Sequence, residues 1–348
     1  MKLTNHIIAL LTGIGMILLG GCSTEENRDL LPDESIVPVH LTISRNSSYT
    51  RAPGDAALSV NRILILPFRK TNEALTDDPA NFVPEYSSAR QLNVSSFPAV
   101  ATMLNLSAAS TYQLVIIGYN QSDYDFANQN SATRKFSIAS TVTPATLANL
   151  YLQPANAPIV PELFSCTGTG YLKNAMVGQK FKPSQVDNVQ GTLTRLASAL
   201  SLQVNNVPGY VNTMTLIAEQ LVTGIRITDA APLVWQTADD SGTKTLGTQM
   251  PVSGSVSFNL YMLPTTTTRN TLLYLDVAYG TGFKERYTVK IPDQTGVVSG
   301  NRITFDSNHW VKITGNYSSI NLGFTLSGDI NLDDNACNTS STISSGYI

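Results

Sequence analysis

Residues 37–44 read Val-Pro-Val-His-Leu-Thr-Ile-Ser. Their apolar side chains alternate with proline or polar side chains, and this period of two is typical of a half-buried β-strand. We predict that the strand turns four side chains inward: Val37, Val39, Leu41 and Ile43. Pro38 has no backbone N–H to donate, so we expect it at a sheet edge or at the beginning of the strand.

Similar strand signals recur along the whole chain. Residues 63–66 form an entirely apolar run, Ile-Leu-Ile-Leu, and residues 112–119 form another run rich in apolar side chains. The second half carries further short strand patterns separated by turn residues, at 215–218, 224–228, 256–262, 272–278, 287–291, 303–305, 310–314 and 322–326. Short strands at such spacing favour antiparallel β-sandwiches over a doubly wound α/β fold.

Two segments are ambiguous between helix and strand. Residues 146–152 lie between prolines and fit one or two helical turns. Residues 193–202 also allow a helix, but the alternation of Leu196, Leu200, Leu202 and Val204 with smaller or polar residues is more regular as a strand.

Composition excludes several classes of function. The chain has 348 residues, a formal net charge of −3, 42% hydrophobic residues and only 14% charged residues. This balance does not fit a disordered chain or a basic nucleic-acid-binding surface. With three His and three Cys, a zinc or His/Cys catalytic cluster is nearly excluded. Nucleophile-elbow, P-loop, dinucleotide-binding and zinc-protease motifs are all absent from the sequence, so we predict neither an enzyme nor a cofactor.

The N-terminal residues look like an export signal. Lys2 precedes the uncharged residues 7–21, a run too short to span a membrane comfortably. It ends in Leu-Leu-Gly-Gly-Cys22, which resembles a bacterial lipobox whose cysteine thiol accepts a lipid. We therefore predict a signal peptide over 1–21, lipidation at Cys22 and a polar tether over 22–36. The alternative is an ordinary signal peptide with an incidental cysteine.

The other two cysteines, Cys166 and Cys337, lie far apart in the sequence. They can pair in an oxidising compartment or stay as separate thiols, and the sequence leaves both open.

The ensemble resembles the fimbrillins of Bacteroidetes, the FimA/Mfa-like subunits of type V pili. The resemblance depends on the order of several weak motifs: the lipobox at Cys22, the strand 37–44 followed by Thr50-Arg51-Ala52, the segments 61–68 and 112–120, the segment Leu193-Thr-Arg195-Leu-Ala-Ser-Ala-Leu-Ser-Leu202, and the late segments 301–304 and 309–315. Together these segments extend over most of the chain after Cys22.

The resemblance implies two tandem transthyretin-like β-sandwich domains, which we expect over 37–185 and 186–348. It further implies a structural pilus subunit with a role in adhesion, lipidated and carried to the outer membrane. A protease then cuts after an arginine and removes the first strand, and a strand donated by another fimbrial subunit fills the groove. Arg51 is the preferred cleavage site. Arg45 stays open as a second choice, because Pro53 lies two residues after Arg51 and hinders some proteases there.

Two alternatives remain open at this point. A basal anchor subunit keeps its lipid and its first strand, and the polar tail after Asp334 differs from the apolar C-terminal donor strand of a stalk subunit. The sequence is therefore compatible with a stalk, a tip or an anchor subunit. A second hypothesis is an uncleaved outer-membrane surface lipoprotein that binds a glycan or a host ligand.

Overall fold

The computed structural model describes eleven segments, to which all structural statements refer: residues 35–45, 60–95, 99–128, 132–140, 142–155, 160–167, 180–186, 188–227, 231–235, 243–318 and 323–331. The strands in these segments belong to one compact unit, Ile36–Ile348.

The first half of this unit contains ten strands: β1 (Ile36–Arg45), β2 (Arg62–Lys70), β3 (Phe82–Pro84), β4 (Arg90–Asn93), β5 (Ala99–Ser107), β6 (Tyr112–Tyr119), β7 (Phe136–Ser140), β8 (Leu150–Pro154), β9 (Phe164–Thr167) and β10 (Asn188–Arg195). Three short 3-10 turns, Pro79–Asn81, Tyr86–Ser88 and Leu147–Asn149, are the only helical elements in the described segments. The all-β prediction is therefore confirmed.

The second half contains twelve strands: β11 (Ser198–Asn205), β12 (Val211–Glu219), β13 (Val222–Arg226), β14 (Pro232–Trp235), β15 (Thr243–Gln249), β16 (Val256–Met262), β17 (Thr271–Tyr279), β18 (Lys284–Thr288), β19 (Val298–Ser299), β20 (Arg302–Ile303), β21 (His309–Asn316) and β22 (Gly323–Asn331).

These strands form four sheets. The first has the order β3-β2-β6-β9-β10-β1-β5, with β4 also paired to β2, and the second has the order β14-β13-β8-β7. The third sheet, β16-β11-β21-β22, and the fourth, β15-β12-β17-β20-β19 with β18 on β17, share one core cluster. That shared core makes the third and fourth sheets the two layers of a β-sandwich.

The apolar run in β2 is buried on both faces of its strand. Ile63 and Ile65 belong to one core cluster with side chains of β1 and β5, whereas Leu64 and Leu66 belong to another with side chains of the second sheet. A strand covered on both sides needs apolar residues at successive positions, which explains why this segment lacks the alternation of a half-buried strand.

Two details of the predicted sandwiches change. The pairs β1–β10 and β11–β21 are parallel, so the sheets are not purely antiparallel. The segment 193–202 is divided, because β10 ends at Arg195 and β11 begins at Ser198. Within the ambiguous residues 146–152, Leu147–Asn149 form a single 3-10 turn, and β8 begins at the next residue, Leu150.

The proposed domain boundary after residue 185 stays a prediction. Strand pairs connect the residues before this boundary with those after it, because β10 pairs with β1 and β9, and β13 pairs with β8. The core of the third and fourth sheets, by contrast, uses only residues from Leu200 onward.

Candidate assembly site

The first strand lies inside a sheet, between β10 and β5. Its residues His40 to Arg45 run parallel to β10, with His40 opposite Asn188 and Arg45 opposite Leu193. Along its other edge the same strand runs antiparallel to β5 over Ile36 to Ser44. A strand that is first in the sequence thus has neighbours from two distant parts of the chain on its two sides.

Pro38 occupies the part of β1 that has a neighbour on one side only. Its partner is Asn105 in β5, and the pairing with β10 begins two residues later. The missing N–H therefore interrupts no ladder with β10, which agrees with the predicted place near the beginning of the strand.

The inner face of β1 is part of a hydrophobic core. Val39, Leu41 and Ile43 have no exposed surface, and all three belong to the cluster that includes Ile63, Ile65, Leu104 and Leu193. Val37 is only half-buried. Of the four side chains predicted to turn inward, three are fully buried, and Val37, next to the exposed Ile36 at the beginning of the strand, is only half-buried.

Polar side chains on the outer face mark the register with β10. The Ser44 hydroxyl lies 2.9 Å from the Thr192 hydroxyl and donates weakly to the Gly191 carbonyl at 3.4 Å. His40 is exposed, and Ile36 at the beginning of the strand is 68% exposed. The outer face therefore contributes hydrogen bonds to β10, whereas the inner face contributes buried apolar side chains.

The neighbour β5 depends on β1 for its place in the sheet. Among the described strands, β5 pairs only with β1. Its far end is fastened separately, because the Ser107 N–H donates to the Tyr112 hydroxyl at 3.2 Å and that hydroxyl donates to the Glu85 carboxylate at 3.0 Å. Removal of β1 would thus leave a slot with β10 on one side and β5, held at its end, on the other.

The other neighbour, β10, is fixed by a buried ion pair at its last residue. Arg195 is 2% exposed, and its Nε donates to Glu162 Oε1 at 2.7 Å. A second guanidinium nitrogen bonds the same oxygen. The guanidinium carbon also lies 5.3 Å from the centre of the Phe164 ring in β9. These contacts hold β9 and β10 together beside the place of β1.

The segment that precedes β10 is fastened to the end of β2. Asp77 accepts hydrogen bonds of 2.7 Å from both Lys70 and Lys180, and these bonds lower the pKa of the Asp77 carboxyl to about 2. Next to Lys180, Phe181 exchanges two backbone hydrogen bonds with Tyr112. The segments around β1 are therefore held in place by contacts that do not involve β1.

The predicted cleavage and lipidation residues have different positions relative to the described segments. Arg45 is the last residue of β1, so its backbone lies in the strand, one residue beyond the predicted strand 37–44. Arg51 and Cys22, like Cys337, lie outside the described residues.

Two further features are absent from the described segments. These segments contain no group of three or more His, Cys, Asp or Glu side chains that could hold a metal ion. Nor does any helix in the described part of the chain meet the length and hydropathy needed to cross a membrane.

Sequence reasoning missed the two neighbours of β1 and the buried ion pair. In the first half of β10, Asn188 and Gln190 are exposed and the buried position is Gly191, which has no side chain, so an apolar alternation is visible only near the end of the strand. The one available signal for the ion pair was Arg195 within the motif 193–202.

Neither a protein-family model nor a curated protein matches the sequence. Among solved structures, a candidate adhesin from Bacteroides ovatus is 13% identical, and the match covers 78% of this chain and 87% of that one, with a TM-score of 0.47.

Two further similar structures are fimbrial proteins from Porphyromonas gingivalis. The fimbrial anchor protein Mfa2 is 11% identical over 80% of this chain and 91% of that one, with a TM-score of 0.43. The tip fimbrial protein Mfa3, with a C-terminal truncation, is 11% identical over 83% of this chain and 98% of that one, with a TM-score of 0.36.

Proposed function

We propose that this chain is a non-enzymatic structural subunit of a surface fimbrium with a role in adhesion. In this proposal the precursor is lipidated at Cys22 and held at the outer membrane. A protease cuts after Arg51 or Arg45, β1 leaves the sheet, and a strand from another fimbrial subunit takes its place.

The observation that carries the proposal is the position of β1 between β10 and β5. Loss of an interior strand exposes backbone N–H and C=O groups on both neighbours, and an added strand can satisfy them. Burial of Val39, Leu41 and Ile43 offers about 1.5–3 kcal/mol per side chain, or roughly 4.5–9 kcal/mol in all, before the cost of ordering the strand. A donor with the same alternation would gain a comparable amount.

The same arrangement supports a precursor that stays monomeric. While β1 is in place, the slot is filled by the chain's own strand at a very high effective concentration, and an outside strand competes poorly. Cleavage removes this advantage, because the released strand is free to diffuse away. Proteolysis therefore acts as the switch for assembly.

The proposal is tested by replacing both arginines, Arg45→Ala and Arg51→Ala. We expect full-length protein on the membrane, no new N-terminus after either position, and no fibres that contain the variant. N-terminal sequencing of protein purified from cells and electron microscopy of the cell surface measure these results. The matched control is Arg62→Ala, an arginine of β2 that is not a proposed cleavage site. Fibres from the double variant equal to those from the parent would overturn the cleavage step.

Anchoring gives a separate prediction. Cys22→Ala is expected to abolish incorporation of radiolabelled palmitate and processing of the signal peptide, because alanine has no thiol to accept lipid. Cys166→Ala serves as the control, since that cysteine lies in β9 and is expected to leave labelling unchanged. Lipid labelling that survives in Cys22→Ala would contradict the lipobox.

A further inference from the structure

A row of aromatic rings is exposed on the fourth sheet, away from β1. Tyr279 at the end of β17 contacts Tyr210 at a centroid distance of 6.1 Å and Phe283 at 5.9 Å. The rings are inclined by only 30° and 21° to that of Tyr279. Tyr210 is 55% exposed and Phe283 is 59% exposed. The three side chains, named here the aromatic row, consist of two exposed rings that both contact Tyr279, which is itself partly buried against the core of the third and fourth sheets.

Tight turns hold the aromatic row in place. The Tyr279 N–H donates to the Phe283 carbonyl at 2.9 Å, and the turn between them uses Gly282 at a φ of +81°, a value that favours glycine. The Gly280 N–H also donates to the Tyr210 carbonyl at 3.3 Å. The backbone that carries the three rings is thus held by hydrogen bonds.

A hydrogen-bonded polar network lies beside the rings. The hydroxyls of Tyr279 and Tyr287 donate to the same Glu285 carboxylate oxygen at 2.7 and 2.5 Å, and the Tyr279 hydroxyl lies 3.2 Å from that of Tyr317. The bonds from Tyr287 and Tyr279 lower the pKa of the Glu285 carboxyl, which therefore stays ionised at neutral pH. The network supplies acceptors and hydroxyl groups next to an apolar surface.

An open cleft is lined by residues that neighbour Tyr210 in the sequence. Its volume is about 560 Å³, and its lining includes Val207, Pro208, Val211, Asn212, Met250 and Pro251. Pro208 and Val211 flank the chain segment that carries Tyr210. The volume lies within the range of roughly 300–1,000 Å³ that is usual for small-molecule sites.

We propose that the aromatic row and this cleft bind a neutral carbohydrate. A pyranose ring has one face rich in C–H groups, which packs on a flat aromatic ring, and a rim of hydroxyls, which bond to acceptors such as Glu285 and Asn212. Apolar or aromatic walls with a few fixed polar groups are the usual composition of a site for such a ligand. The site goes beyond the proposed function, because it lies on the fourth sheet and does not use β1, β5 or β10.

The test uses the full chain, purified in a detergent without a sugar headgroup. Saturation-transfer NMR is recorded with cellotriose, lactose and N,N′-diacetylchitobiose as separate probes. We expect saturation of the ring C–H protons of at least one probe. The double variant Tyr210→Ala/Phe283→Ala is expected to weaken that binding about tenfold, which corresponds to about 1.4 kcal/mol for the loss of both ring contacts.

The chain contains a matched control for this substitution. Tyr86 is also 55% exposed, and its ring lies 6.2 Å from that of Phe126, yet it belongs to a 3-10 turn outside the fourth sheet. Tyr86→Ala is expected to leave sugar binding unchanged. Both variants are checked by circular dichroism and thermal unfolding, so that a folding defect is separated from a binding defect.

Three results would overturn the inference. The first is no saturation of any of the three probes at concentrations up to about 10 mM, a range that includes weak single-ring binding. The second is binding that the double variant and Tyr86→Ala change equally. The third is saturation of tetramethylammonium but of no sugar, which would make the site a receptor for cations held over the rings. None of these results bears on donor-strand assembly.

Discussion

A chain that begins at residue 46 is expected to stay soluble and monomeric only when a peptide of residues 36–45 is present during refolding. Without the peptide, β10 and β5 lack the strand that lies between them, and β5 loses the only neighbour it has among the described strands. The exposed backbone groups and apolar side chains are then expected to drive self-association. Light scattering and size-exclusion chromatography measure the difference.

Two peptide variants distinguish insertion between β10 and β5 from nonspecific hydrophobic binding. Leu41 has no exposed surface, whereas its neighbour His40 is exposed. A peptide with Leu41→Asp loses the burial of an aliphatic side chain and places a carboxylate in the core, so we expect it to bind roughly a hundredfold more weakly. A peptide with His40→Asp carries the same carboxylate on the outer face and is expected to bind nearly as well as the parent.

Fluorescence anisotropy of labelled peptides gives the two affinities directly. Equal binding of the two variants would mean that the peptide does not insert with its native face inward. A truncated chain that remains monomeric without any peptide would show that β1 is dispensable for the sheet. Either result contradicts donor-strand exchange at this slot.

The sequence was sufficient to predict β1 and its inward face, because alternation is a local property of the chain. Val39, Leu41 and Ile43 are buried as the period of two requires. The reduced burial of Val37 was not predictable from the same pattern, because alternation gives the face on which a side chain lies but not how far along the strand the core extends. Burial at a strand end is thus decided by what packs against the strand and not by the alternation of the strand itself.

The neighbours of β1 were beyond the reach of the sequence pattern. β10 lies more than 140 residues away in the sequence from β1, and nothing in a period of two specifies which strands pair or in which direction. Edge strands such as β15 were missed for another reason. Only Leu246 in β15 is buried, so the strand has no apolar face from which an alternation could be recognised.

Arg195 illustrates how a polar residue can be misassigned by alternation. Its place in a regular pattern suggested the solvent face of one long strand, yet it is buried at the end of β10 and bonded to Glu162. A charged side chain is rarely buried unless it is paired, and its partner is 33 residues away in the sequence. Only the folded chain brings the two together.

The ion pair of Arg195 and Glu162 leads to the second prediction of large effect. Replacement of arginine by methionine, Arg195→Met, leaves the Glu162 carboxylate in the core without this cation and is expected to lower the free energy of unfolding by about 3–5 kcal/mol. The double variant Arg195→Met/Glu162→Leu removes both charges and fills the space with apolar atoms. Its stability is expected to lie close to that of the parent or above it, because neither charge then needs to be desolvated.

A more exposed ion pair provides the control. Arg286 donates to Asp276 from two nitrogens, at 2.6 and 2.9 Å, but its side chain is about half exposed. Arg286→Met is therefore expected to cost no more than about 1 kcal/mol. Urea unfolding followed by tryptophan fluorescence compares the three variants. A loss in Arg195→Met no greater than that in Arg286→Met would show that the buried pair does not hold β9 to β10. A large loss of stability that the double variant restores would show that the unpaired Glu162 carboxylate causes the loss. In that case Arg195→Met is also expected to weaken binding of the 36–45 peptide, since β10 forms one wall of the slot.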